Sequence, residues 1–112
     1  MKKRMPAGKS EDDCPPDPAP PAGALVREIP IVNHRGLHAR AAARLVQTAE
    51  KFDAEVSVSR CGETVGGTSI MGILMLAAGP GSSIRVTARG PEAAAAITAI
   101  AELCASKFGE GE

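Results

Sequence analysis

The chain has 112 residues, room for one small domain that buries about two-thirds of its unfolded surface. Its 13 Lys and Arg balance 13 Asp and Glu, and this neutral sum argues against nucleic acid as a partner. No stretch approaches the roughly 18 apolar residues of a membrane span, so no membrane insertion is expected.

Six of the nine prolines fall within residues 6–21, together with Glu11, Asp12, Asp13 and Asp17. Such a stretch buries too little apolar surface to offset the entropy of ordering it. Residues 1–23 are therefore expected to be a disordered proline-rich extension, and 24–112 the folded domain. Met1-Lys2-Lys3-Arg4 imitates the basic start of a signal peptide, but a polar run follows instead of an apolar core. The three cysteines, Cys14, Cys61 and Cys104, are odd in number and sit at no metal-ligand spacing. Free thiols in a reducing compartment, and hence a soluble cytoplasmic protein, are the expectation.

From Ala24 the texture changes. Residues 25–32 alternate, with Leu25, Arg27, Ile29 and Ile31 on one face, and predict a strand. Pro30 cannot donate to a ladder, which places this strand at a sheet edge. Residues 33–37 form a loop containing Gly36. Residues 39–52 predict a helix, with Ala42, Leu45, Ala49 and Phe52 at helical spacing. Residues 54–60 alternate again, with Ala54, Val56 and Val58 inward. Cys61-Gly62 reads as a hairpin turn into a short strand at 63–65, broken by Gly66-Gly67.

Residues 69–78 predict a short apolar helix that Gly79-Pro80-Gly81 terminates. Residues 82–89 predict a strand with Ile84, Val86 and Ala88 inward. Gly90-Pro91 opens a last helix, proline suiting the first helical position, with Ala93, Ala96, Ile97, Ile100, Cys104 and Phe108 as its buried stripe. The order β-α-β-β-α-β-α, with one apolar face per strand, indicates an α+β, two-layer fold: an antiparallel sheet covered on one side by helices.

His38 is the residue with most chemical potential. It falls at the mouth of the first helix, where backbone N–H groups lack intrahelical partners and the helix dipole favours an anion. Gly36 permits the tight turn before it, and Arg40 adds a planar cation suited to phosphate oxygens. Imidazole in general titrates at about pH 6.5, so its neutral, nucleophilic form is abundant in a cell. A histidine in this place could accept, hold and release a phosphoryl group, or serve only as a cap. His34 offers the same chemistry in the loop, without a helix terminus. His34 and His38 have no nearby Cys, Asp or Glu to complete a metal site, and neither metal nor cofactor is expected. No carboxylate pair or nucleophile–base dyad suggests catalytic turnover.

Gly36-Leu37-His38-Ala39-Arg40, the later Ser69-Ile70-Met71-Gly72 and the element order together resemble HPr, the histidine phosphocarrier of the bacterial phosphotransferase system. The resemblance runs from about Leu25 to Phe108. It implies an open-faced sandwich with four antiparallel strands in the order 1-4-2-3 and three helices on one face. It implies that His38 takes a phosphoryl group on Nδ1 from phosphorylated enzyme I and passes it to an enzyme IIA-type protein, with Arg40 at the phosphate site. It further implies regulatory phosphorylation of Ser69 by HPr kinase/phosphorylase. A docking patch of Ile70, Met71 and Leu74, near Ala39 and Ala43, goes with it. A stoichiometric carrier of this kind is expected to be a monomer that makes small, transient contacts.

Ala41 stands where many HPr sequences have proline; both fit the first turn of a helix, and alanine restores one N–H. Thr68 and His34 stand where lysine is frequent. The His38-Ala39-Arg40-Ala41 and Gly66-Gly67-Thr68-Ser69-Ile70-Met71-Gly72 runs resemble HPr proteins of proteobacteria with a regulatory, nitrogen-linked chain, so sugar transport and nitrogen regulation both stay open. A regulatory binding module controlled by Ser69, without phosphate relay, is the alternative reading.

Overall fold

A computed structural model describes residues 14–109. The elements, in chain order, are β1 (Leu25–Pro30), α1 (Ala39–Ala49), β2 (Glu55–Arg60), β3 (Glu63–Gly66), α2 (Ile70–Met75), β4 (Ser83–Arg89) and α3 (Ala93–Ala105), followed by a 3-10 turn at Lys107–Gly109. The four strands form one antiparallel sheet in the order β1-β4-β2-β3. The expected α+β open-faced sandwich is therefore the fold, with β1 at an edge as Pro30 requires. No helix among the described residues is long and apolar enough to cross a membrane.

Period-two alternation decides which face of the sheet the helices cover. Val56 and Val58 of β2 and Ile84, Val86 and Ala88 of β4 are buried. They meet Ala41, Ala42, Leu45, Val46 and Ala49 of α1 and Ala93, Ala96, Ile97, Ile100 and Cys104 of α3 in one core. Alanine on both helices lets them lie close to the sheet. Ile73 anchors the short α2 to the same core. Burial pushes the Cys104 thiol up to about 12, so it stays protonated and inert, because removal from water disfavours the thiolate.

Several boundaries differ from expectation for identifiable reasons. Helix α1 stops at Ala49, because Lys51 and Phe52 donate to Thr48 and Ala49 in a tightened last turn; Phe52 stays half-buried against the core. Helix α2 ends at Met75, and Ala77 takes the left-handed conformation (φ 55°). Pro91 precedes α3 instead of opening it: Glu92 is the N-cap residue, and its carboxylate accepts from the Asp53 amide at 2.6 Å. Of the face shared by Leu25, Arg27, Ile29 and Ile31, only Ile29 and Ile31 are buried, and Leu25 and Arg27 are exposed. The helical layer does not reach over the start of the edge strand.

Two further expectations are corrected. Cys14 and Cys61 form a disulfide across 47 residues of sequence, and only Cys104 is a free thiol among the described residues. The extension is not free along its whole length. Residues 1–13 lie outside the described residues. Residues 14–23, however, have no regular structure yet lie against the sheet's outer face. The Gly62 amide donates to Asp17 Oδ1 at 2.8 Å, and the Arg85 guanidinium donates to the Pro18 carbonyl. The sequence hid this because the segment docks through backbone and proline contacts on polar strand residues, not through an apolar stripe.

The last turn carries the largest fully buried side chain, Phe108. It was expected on the helix but lies beyond it, where left-handed Lys107 and Phe108 (φ 58° and 56°) fold the chain back. Arg44 of α1 donates to the Phe108 carbonyl, tying this end to the first helix. Truncating a buried phenylalanine loses transfer energy and leaves a cavity, costing about 3–5 kcal/mol. Phe108→Ala should therefore lower the unfolding free energy by that amount in urea titration. A loss below about 1 kcal/mol would mean the turn is dispensable.

Candidate functional site

The loop between β1 and α1 is organised around one carbonyl. Gly36 O accepts from the His38 amide at 2.9 Å and from Asn33 Nδ2 at 2.8 Å. His38 Nδ1 lies 3.1 Å from the same oxygen. Asn33 is fully buried, so its side chain acts as an internal brace for the turn. Asn33 was read only as a loop residue; the signal available was its short amide side chain, which often bonds local backbone in turns.

Gly36 is required here twice over. Its φ is +68°, and an added Cβ would sit 2.7 Å from the Ala78 carbonyl oxygen and 2.9 Å from Gly79 Cα. The Leu37 amide donates to that same Ala78 oxygen at 2.9 Å. The start of α1 is thereby fixed against the bend that follows α2.

His38 is the N-cap residue of α1, with extended backbone (φ −79°, ψ −179°), and its side chain makes no capping bond. The first helical bond runs from the Ala42 amide to the His38 carbonyl at 2.8 Å. The amides of Ala39, Arg40 and Ala41 therefore precede the ladder and have no partner among the described residues. The first turn holds no acidic residue to occupy them. Arg40 is exposed and has no hydrogen-bond or ion partner among the described residues. A half-buried imidazole, open amides and an uncommitted guanidinium thus meet at one helix start, an arrangement that favours a phosphate. His34 is exposed in the loop. Among the described residues no cluster of three or more His, Cys, Asp or Glu could hold a metal.

Ser69 caps α2: its Oγ accepts from the Gly72 amide at 3.0 Å. Gly72 is needed for that geometry, since a Cβ there would lie 2.9 Å from Ser69 Oγ and 2.9 Å from Val65 Cβ. Beside the cap, Ile70 and Met71 are exposed, and Met71 is 67% accessible. Leu74 instead is half-buried against the core. Met75, passed over in the sequence, is 73% accessible; its spacing of four from Met71 on a helix was the available signal. Ala39 is exposed and Ala43 half-buried on α1, which packs beside α2.

An open-faced sandwich with a histidine at the N-cap position of its first helix and a serine capping its second is the arrangement that the resemblance to small phosphocarriers implied. Residues 25–106 match the family described as PTS HPr component phosphorylation site. The chain is 48% identical over 88 residues to the phosphocarrier protein HPr of Cupriavidus necator, covering 79% of this chain and 99% of that protein. It is 44% identical over 88 residues to HPr of Neisseria meningitidis serogroup B, with the same coverage. Among solved structures, HPr-C-His from Thermoanaerobacter tengcongensis superposes with a TM-score of 0.75 at 41% identity, covering 79% of this chain and 99% of that one. The chain belongs to the HPr family of phosphocarriers of the phosphotransferase system.

Because Gly36 sits against Ala78 with positive φ, Gly36→Ala should push the loop off the α2 bend. The expected cost is about 1–3 kcal/mol, read in thermal or urea unfolding. Amide shifts should change at Leu37, His38 and Ala78 in the NMR spectrum. Unaltered shifts at those three amides would show that the contact does not set the loop.

Proposed function

We propose that His38 accepts a phosphoryl group from phosphorylated enzyme I and passes it to a histidine of an enzyme IIA-type protein. The observation that carries this reading is the helix start: three amides without partners beside a histidine that does not cap them. A phosphoryl group on the imidazole would supply the acceptor oxygens these donors lack. Each charge-assisted bond of this kind is worth about 1.5–3 kcal/mol.

Nδ1 is the proposed accepting atom. It must carry a lone pair, so the proton resides on Nε2 and the ring turns away from Gly36 O. That carbonyl keeps its two shorter partners, the His38 amide at 2.9 Å and Asn33 Nδ2 at 2.8 Å. No buried acceptor is orphaned when the imidazole leaves, so the loop tolerates both states. In transfer, the Nδ1–P bond forms as the donor's N–P bond breaks, and the reverse occurs at the acceptor. Arg40 balances charge on the phosphoryl oxygens. The protein is used and regenerated stoichiometrically as a cytoplasmic monomer, without turnover of its own.

Ser69 is the second proposed input. Phosphorylation by HPr kinase/phosphorylase would add about −1.5 to −2 charges at the start of α2. The helix terminus tolerates this charge, while the adjacent Ile70 and Met71, with Ala39 and Ala43 on α1, would become a poorer docking surface for an acidic partner. Half-buried Leu74 supports that surface from below. Whether the relay serves sugar uptake or nitrogen regulation depends on the acceptor. A purely regulatory module controlled by Ser69 would give the histidine at the start of α1 no role.

Incubation with enzyme I and phosphoenolpyruvate should load acid-labile phosphate on the wild type and none on His38→Ala. Arg40→Ala should load roughly 10-fold or more slowly, as expected from losing about 1.4 kcal/mol or more of transition-state stabilisation, with thermal stability unchanged. Phosphate on His38→Ala would place the acceptor elsewhere. A destabilised Arg40→Ala would make that arginine structural.

A further inference from the structure

The outer face of the sheet carries polar side chains: Ser57 and Ser59 of β2, Thr64 of β3, Arg85 and Thr87 of β4. Two of them are buried nonetheless, Ser59 at 2% and Thr87 at 6% exposure. Pro18, Ala19, Pro20 and Pro21 line a shallow pocket with all five; this segment lies over buried Ser59 and Thr87 and half-buried Ser57 and Arg85, and leaves Thr64 exposed at the margin. Ser59 and Thr64 satisfy one another at 2.7 Å at this margin.

The segment has few ties of its own. Asp17 accepts from Gly62 at 2.8 Å, the Pro18 carbonyl accepts from Arg85, and Pro15 touches Gly62. Its prolines bring no N–H donors to the sheet. The covalent tie is Cys14–Cys61. Cys61 sits in the β2–β3 hairpin at φ 53°, followed by Gly62 at φ 82°. A turn with both central residues left-handed favours Asn, Asp or Gly. Cysteine pays a steric cost there that its side chain alone can justify.

We propose that residues 14–23 are a strap over the outer face of the sheet, latched by Cys14–Cys61 and released by reduction. A dithiol reductant opens it: one thiolate attacks a sulfur of the pair, and the reductant's second thiol resolves the mixed disulfide. The reductant leaves oxidised to a disulfide, and two electrons and two protons end as thiols on Cys14 and Cys61. A disulfide oxidant reverses the step. Cys104 takes no part, being buried and protonated. In the released state Ser59 and Thr87, now buried, and half-buried Ser57 and Arg85 face solvent; disulfides in reducing compartments are transient, as a reversible latch requires.

The full-length chain, prepared without reductant and then with dithiothreitol, tests this by mass spectrometry, NMR and hydrogen exchange. The oxidised chain should be lighter by two hydrogens and protect the Gly62 amide. Reduction should remove that protection and shift the signals of Ser57, Ser59, Thr64, Arg85 and Thr87, while α1 and α3 keep theirs. Cys14→Ser should match the reduced chain with or without dithiothreitol. Two outcomes overturn the proposal. One is a chain whose Cys14 and Cys61 stay reduced when offered a disulfide oxidant. The other is a Cys14→Ser chain whose outer-face signals match the oxidised wild type, which would mean the strap holds without its latch.

Discussion

The close approach of Gly36 to the bend after α2 is the contact on which the site depends. No side chain fits between them, because a Cβ on Gly36 would meet the Ala78 oxygen at 2.7 Å. The Leu37 amide closes the same gap at 2.9 Å. This backbone-to-backbone contact fixes where α1 begins, and so where its unpartnered amides point. It also ties α1 to the far end of α2, which Arg60 braces from the sheet by donating to the Leu76 carbonyl at 3.2 Å. The His38 loop is thus mounted on the core through β2, α2 and α1, although its residues 33–38 form no regular element. Preorganisation of this kind would let a small domain present donors to a phosphate without refolding around it.

The same economy would let one loop serve the two chemical states proposed for it. Gly36 O is bonded by two donors that belong to the loop, and the imidazole adds a third, longer contact. Only the last would need to break for His38 to carry the proposed phosphoryl group. The apolar groups flanking the site are divided by burial. Ile73 and Leu76 hold α2 to the core, and Met71 and Met75 remain outside, where flexible thioethers suit a surface that meets more than one partner.

Much of this was legible in the sequence. Alternation in 54–60 and 82–89 showed the sheet's inner face, Pro30 placed β1 at an edge, and Gly36 marked the turn by its local chemistry. What was hidden depends on contacts distant in sequence or on single backbone torsions. Asn33 reads as a surface loop residue until its carboxamide is seen inside the turn. Phe108 keeps the helical spacing of α3, yet two left-handed residues, not the helix, carry it into the core. Cys14 and Cys61 could not be paired by spacing, since sheet order and the path of the extension bring them to a Cα separation of 4.4 Å. The prolines at 15–21 have a disordered composition, yet Pro18, Pro20 and Pro21 come to lie beside polar strand residues of the outer face.

The central claim is that the open amides at the start of α1 hold a phosphoryl group carried by His38. Amide proton shifts of Ala39, Arg40 and Ala41, recorded before and after phosphorylation by enzyme I and phosphoenolpyruvate, test it most directly. The account predicts downfield movement of these amides, together with a His38 nitrogen pattern showing phosphorus on Nδ1. Phosphorylation of His38 that leaves all three amides unmoved would contradict it.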